Sequence, residues 1–382
     1  MSGAAAIRLP GDVPMLSALV CSLLSVVAQP TGPVEAPPHR TVTIDAVKAS
    51  TGEEVDGRTD LAVLHEGIAY RFSSPETLDL FRASPSLYEV ADGGACGAMG
   101  ALSGMGDARR FAVHNGRIYF FASDGCRAGF LKDPSRCIET DDPKPEASDA
   151  KLAEGQRLLQ RVVEWAGGAD RLKSIKSYRQ SLSRIEGSGD DATRYAESLA
   201  LRFPDRAVLR QSWNDAWFST IRGPEGAAMA KEGAHEVVAG SRGRAFDRQL
   251  ARNLVTILRR AASNPVDGTA VIAVADGAGA IGDDPVRFIL VWMDGALSRL
   301  TIEEATGRPI ELAFRGRDRT AFVGESVRTF TRYETVSGVT LPVAHTVVFN
   351  GKPAESAGLS IDGYGIDVEI PDEELRVVAR PE

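Results

Sequence analysis

His65-Glu-Gly67-Ile-Ala-Tyr70-Arg-Phe72-Ser-Ser74, followed by Phe81, Pro85 and Ser86, returns 49 residues later as His114-Asn-Gly116-Arg-Ile-Tyr119-Phe-Phe121-Ala-Ser123, followed by Phe130, Pro134 and Ser135. All the matched pairs keep that one spacing without a gap, so the segment is a duplication and not a chance match. Each copy is expected to give a glycine turn, a short alternating aromatic strand and a helix whose Phe faces inward, closed by a Pro-containing turn. One such unit is too small to bury its own apolar face. Two stacked units can share a core, so residues 41–139 are expected to form a compact α+β module.

The module resembles the YHS domain, a small metal-associated family. Cys96-Gly-Ala-Met99 matches the first part of its signature, and Gly116-Arg-Ile-Tyr119-Phe-Phe121-Ala-Ser123 with Cys126, Phe130 and Pro134 matches the rest. The resemblance implies a zinc or copper site in which Cys96, Cys126 and His114 are the candidate ligands. Two departures count against it: Ala122 stands where the family has a cysteine, and the upstream copy has no cysteine at all. Read without the resemblance, Cys96, Cys126 and Cys137 are an odd set with no zinc-finger spacing, consistent with one disulfide and a leftover thiol, with buried thiols, or with three soft ligands.

Upstream, Met15–Ala28 is the only long apolar run. It is too short for a bilayer span of about 20 residues and ends in the small-residue pattern of a cleavage site, so residues 1–28 are expected to be a secretory signal peptide. Cys21 also invites a lipid-anchor reading, but Val20 stands where such signals carry a small residue. Pro30, Pro33, Pro37 and Pro38 mark 29–40 as a tether. These features place the mature protein in the periplasm or cell envelope, peripheral to a membrane rather than spanning it. The chain has 382 residues, net charge −8 and dispersed Lys and Arg, which suits a globular protein of two domains and argues against nucleic acid as a partner.

Residues 140–148 are polar and hold two prolines, which marks a linker. Ser148 or Asp149 can then cap a helix that ends at Gly167-Gly168. From there to the end, alternating segments separated by Gly and Asp turns predict a meandering antiparallel sheet: 195–203, 207–213, 270–275, 286–292, 297–302, 309–314, 327–333 and 340–349. One helix, 244–262, is expected to interrupt it, with an apolar stripe of Phe246, Leu250, Leu254, Val255, Ile257 and Leu258 opposite Arg248, Arg252, Arg259 and Arg260.

Gly167-Gly168-Ala-Asp-Arg-Leu-Lys-Ser-Ile-Lys-Ser-Tyr178, Phe203-Pro-Asp-Arg206, Trp213 and Trp217, Glu304-Ala-Thr-Gly-Arg-Pro309, Tyr333-Glu-Thr-Val-Ser-Gly-Val-Thr-Leu-Pro342 and Asp367–Pro371 together resemble the LolA/LolB type of lipoprotein-carrier-like proteins. The resemblance implies that 149–382 is an antiparallel half-open β-barrel with covering helices and a hydrophobic cavity, which would take a lipid, an acyl chain or a lipidated protein. Trp213, Trp217, Phe218, Leu250, Leu254, Leu258, Phe288 and Trp292 are the candidate cavity residues, each of which could equally fill a core.

Gly277-Ala-Gly279-Ala-Ile-Gly282 spells a dinucleotide fingerprint but is followed by Asp283-Asp-Pro285 and another strand, not by a helix whose N-terminus could meet a pyrophosphate, so a glycine-rich hairpin loop is expected. The five histidines form no zinc-helix pattern, and no nucleophile elbow or phosphate loop occurs. The chain is therefore read as an exported binding protein, not an enzyme, that holds a hydrophobic ligand in the half-barrel. The alternative is a metal-handling or redox-sensing protein that acts through the YHS-like module.

Overall fold

The computed structural model describes residues 38–186, 193–214, 216–231, 234–238, 240–263, 271–317, 322–353 and 359–376. The expected signal peptide and nearly all of the tether lie outside them. The first elements are β1 (Thr41–Val42), α1 (Ala46–Ser50), β2 (Arg58–His65), β3 (Ile68–Phe72), α2 (Pro75–Ala83), α3 (Pro85–Tyr88), β4 (Asp107–His114), β5 (Arg117–Phe121) and α4 (Asp124–Lys132).

The duplication is written into the backbone. Glu66 and Gly67 adopt φ of 50° and 76°, and Asn115 and Gly116 adopt 49° and 72°, which is the double left-handed turn that joins two strands of matching twist. The hairpin registers agree as well: Arg58 pairs Phe72 and Ala62 pairs Arg71, as Asp107 pairs Phe121 and Phe111 pairs Phe120. Ser74 and Ser123 each cap the following helix with their side-chain oxygen. Phe81 lies 4.6 Å from Tyr70 and 5.1 Å from Phe72, while Phe130 lies 4.9 Å from Tyr119 and 5.1 Å from Phe121. Ile118 and Phe120 of the second copy pack into the core of the first, so the two units do share buried surface.

No helix or strand forms over 139–148. Beyond lie α5 (Asp149–Trp165), α6 (Ala169–Ser174), β6 (Ser177–Glu186), β7 (Thr193–Arg202), β8 (Arg206–Trp213), β9 (Ala216–Gly223), β10 (Gly226–Lys231), β11 (Ala234–Val238), α7 (Gly240–Ala251), α8 (Leu254–Ala262), β12 (Ile272–Ile281), β13 (Asp284–Met293), β14 (Ala296–Glu303), β15 (Pro309–Arg317), β16 (Val323–Val336), β17 (Val339–Phe349), β18 (Lys352–Pro353) and β19 (Leu359–Ile366). The strands make one antiparallel sheet in the order β11-β10-β9-β8-β7-β6-β19-β17-β16-β15-β14-β13-β12, with β18 attached to β17. Strands β11 and β12 are its two edges and do not pair, so the sheet is not closed into a barrel. The chain crosses from one edge to the other through α7 and α8. Gly167, at φ 127°, lets α5 end against the sheet: a β-carbon there would stand 2.2 Å from the Gly338 carbonyl oxygen.

Two expectations need correction. The helix over 244–262 is two helices, because Asn253 takes an extended conformation and its side chain accepts from the Val255 N–H at 3.0 Å, starting α8 afresh. Its arginines do not form one solvent face either: Arg248 and Arg252 are each 7% exposed. Glycines 277 and 279 are not loop residues. They lie in β12, with a bulge at Ala275/Gly277, and the turn is Gly282-Asp283 alone.

Candidate functional site

Strand parity sorts the side chains onto two faces. The inner face packs on the helices through Tyr178, Leu199, Leu201, Leu209, Ile289, Val291, Leu300, Leu312 and Phe330, which share one core with Leu158, Val162, Phe246 and Leu258. On the outer face of β7–β10, Ala200, Val208 and Ile221 are covered by Ile370 and Leu375 from the C-terminal segment.

The expected cavity residues divide accordingly. Leu258 is fully buried core. Phe288 and Trp292 alternate with Ile289, Val291 and Met293, so they belong to the opposite face: Arg299 stands over the Phe288 ring, and the Trp292 Nε1–H donates to the Asp142 carbonyl at 2.9 Å. Trp217 also faces outward, under the Arg210 guanidinium at 4.1 Å. Trp213 and Phe218 are on the inner face but stack on each other at 5.4 Å, with Trp213 39% exposed, away from both cavities described next. Leu250 and Trp292 line the larger of those two cavities and Leu254 the smaller.

The larger cavity is a cleft of about 570 Å³ between the ends of β7–β9, helices α7 and α8, and the β13–β14 turn. Leu201, Phe203, Ala207, Leu250 and Trp292 supply apolar wall. The polar wall is rich in arginine. Arg222 and Arg260 are paired with Asp247 and Asp294, whereas Arg259 lies over the Phe203 ring at 4.2 Å and, among the described residues, donates only to the Ile175 carbonyl, at 3.1 Å. Burial holds its guanidinium below the usual range, and Arg260 beside it adds to the shift. The buried Thr256 hydroxyl on the same wall has no partner.

The smaller cavity, about 60 Å³, lies where the α7–α8 junction meets the inner face. Tyr178, Gln180, Arg252, Asn253, Arg328 and His345 bring polar groups to it, and Leu254, Leu312, Phe330 and Leu341 apolar ones. The Tyr178 hydroxyl donates to Gln180 Oε1 at 2.7 Å, and burial pushes its pKa well above the ordinary tyrosine value. Burial, with the charge of Arg328 second, pushes His345 down to about 4, so its imidazole is neutral at physiological pH. Desolvation likewise lowers Arg328.

Of the proposed metal ligands, Cys96 and Cys126 are neighbours and His114 is packed edge-on against Phe130 at 5.9 Å. Among the described residues no group of three or more His, Cys, Asp or Glu side chains is close enough to hold an ion, so the structure does not gather the three into one site. Cys96, Cys126 and Cys137 are free thiols. The repeat explains the Cys96 environment: its sulfur accepts from Ala122 N–H at 3.4 Å, where in the first copy Asp45 accepts from Ser73 N–H at 2.8 Å and from Thr77 Oγ1 at 2.6 Å. Burial pushes the Cys96 thiol up; burial also opposes the Asp45 charge, but the hydrogen bonds from Ser73, Thr77 and Lys48 outweigh it and hold that carboxyl low.

Sequence reasoning missed Tyr178, Gln180, Arg259, Arg328 and His345. Parity was the available signal: Arg328 shares a strand face with Ser326 and Phe330, both buried.

No protein-family model and no curated protein matches the chain. Among solved structures, it is similar to a putative outer membrane lipoprotein-sorting protein domain from Vibrio parahaemolyticus (8% identity, 59% of this chain and 97% of that one, TM-score 0.36). It is also similar to a DUF1329 family protein from Desulfovibrio piger (11%, 59% and 97%, 0.36) and a LolA superfamily protein from Nitrosomonas europaea (9%, 58% and 97%, 0.37).

Proposed function

We propose that the protein is an exported binding protein, not an enzyme, that holds a lipid or acyl chain in the cleft between the open sheet and helices α7 and α8. The observation that supports it best is the cleft itself: about 570 Å³, within the usual size range for small-ligand sites, and walled by Leu201, Phe203, Leu250 and Trp292. Burial of an acyl chain there contributes about 0.8 kcal/mol per methylene. No helix among the described residues is long and apolar enough to cross a membrane, which fits a protein that meets lipid at a surface. The resemblance of 149–382 to lipoprotein carriers points the same way.

A fluorescent fatty-acid displacement assay tests this. Leu250→Asp puts an unpaired charge on the cleft wall, so affinity is expected to fall by about tenfold or more. Trp213→Ala, on the same face of the sheet but outside the cleft, leaves it unchanged. Equal loss in both variants, or no displacement by any lipid, contradicts the proposal.

The second reading, a redox sensor built on the YHS-like module, is favoured by the neighbouring thiols of Cys96 and Cys126. It is weakened by the raised Cys96 pKa, since a thiol that resists ionisation reacts slowly.

A further inference from the structure

Among the described residues Arg328 makes no hydrogen bond and no ion pair; its guanidinium carbon lies over the face of the Phe314 ring, 4.8 Å from the ring centre. Glu197, whose charge acts on it from further off, is already engaged by the Tyr195 hydroxyl at 2.7 Å and by Gln211 at 2.9 Å. Arg252 lies over the same ring at 5.3 Å, but its charge is met by Glu139 at 2.5 Å. Even so, the Arg252 Nε–H is buried without a partner. The remaining polar groups of the small cavity, Tyr178, Gln180, Asn253 and His345, are neutral. The cavity thus holds a guanidinium that no carboxylate among the described residues touches, beside an unused donor.

A half-buried guanidinium that meets no carboxylate directly is held at a cost, and an anion of matching geometry removes that cost. A carboxylate offers two oxygens to the planar guanidinium fork, and its single charge balances the single unpaired cation, where a phosphate monoester would bring excess charge. Leu254, Leu312, Phe330 and Leu341 around it suit the first carbons of an aliphatic chain. We propose that this cavity is a carboxylate site centred on Arg328, which seats the head of a fatty acid. The inference rests on the carrier reading for its chain-bearing half. The same chemistry would also accept a free short carboxylate.

Calorimetric titration of the full-length protein at neutral pH with dodecanoate, 1-dodecanol and acetate tests it. Dodecanoate is expected to bind about tenfold or more tighter than 1-dodecanol, the gain of one charge-assisted contact. Arg328→Met should bring dodecanoate down to the alcohol's affinity and leave the alcohol unaffected. Arg328-dependent binding of acetate that a dodecyl chain does not strengthen upholds the carboxylate site and assigns it to free short acids. Equal affinity of acid and alcohol in the unmodified protein, or a preference that survives Arg328→Met, overturns the carboxylate site while leaving the carrier reading standing. Failure of all three ligands to bind overturns both.

Discussion

At the scale of single residues, the inner face of the sheet is governed by groups that a strand pattern presents as ordinary. His345 occupies a position in β17 opposite Phe330, where burial and the charge of Arg328 hold it near 4 against an ordinary value of 6.5. The unfolded chain therefore binds a proton that the folded chain refuses between those two values. Stability should be complete above about pH 6.5 and fall as pH drops toward about 4, by up to about 3 kcal/mol. Urea unfolding of the wild type and His345→Gln across that window checks this: the slope is expected in the wild type and absent from the variant, whereas parallel curves contradict it. The sequence showed His345 in an alternating strand, but not that an arginine faces it from the next strand.

At the scale of elements, periodicity revealed most helices and strands, while their limits and partners depended on distant residues. The repeat was legible in full, since turn glycines, cap serines and the aromatic triad all recur at one spacing. The arginines of α7 and α8 were not. Spacing alone read Arg248 and Arg252 as solvent-facing, because their partners, Asp141 and Glu139, come from a segment more than a hundred residues earlier that composition marks as a linker. That segment is an extended clamp: Asp142 also accepts from the Leu297 N–H at 2.8 Å. Glu139 is 13% exposed at its side chain and serves both Arg252 and Arg317, whereas Asp141 is 59% exposed. Glu139→Ala should thus cost about 3 kcal/mol by leaving a buried guanidinium unpaired. Asp141→Ala removes a carboxylate that water can replace, and should cost about 1 kcal/mol or less. Chemical denaturation of both variants compares them, and equal losses would show that the buried pair has no special weight.

At the scale of the whole molecule, the alternating segments announced a meandering antiparallel sheet, and the structure has one. What they could not announce is its order. β6 has no edge of its own because β19, the last strand of the chain, lies between it and β17, a pairing that loops of any length permit and no local pattern encodes. The same closure of distant parts places the repeat module against α7, where the guanidinium of Arg242, 2% exposed, donates to the carbonyls of Ala101 at 2.8 Å and Ser103 at 2.6 Å. The module is thereby fixed to the helix pair that walls the cleft. The candidate cavity residues were dispersed for a related reason: an aromatic residue in a strand has a definite face only once the bulges and the neighbouring strands are known, as Trp217 and Phe288, on the opposite face from the helices, show.

The claim that the cleft carries a lipid is tested most directly by native mass spectrometry of the protein, purified from its native host without detergent. A lipid held in the cleft gives a population of chains bearing the added mass of one acyl-containing molecule, released on mild activation as an amphiphile. Chains that show only their own mass, both as isolated and after incubation with lipid vesicles, would contradict it.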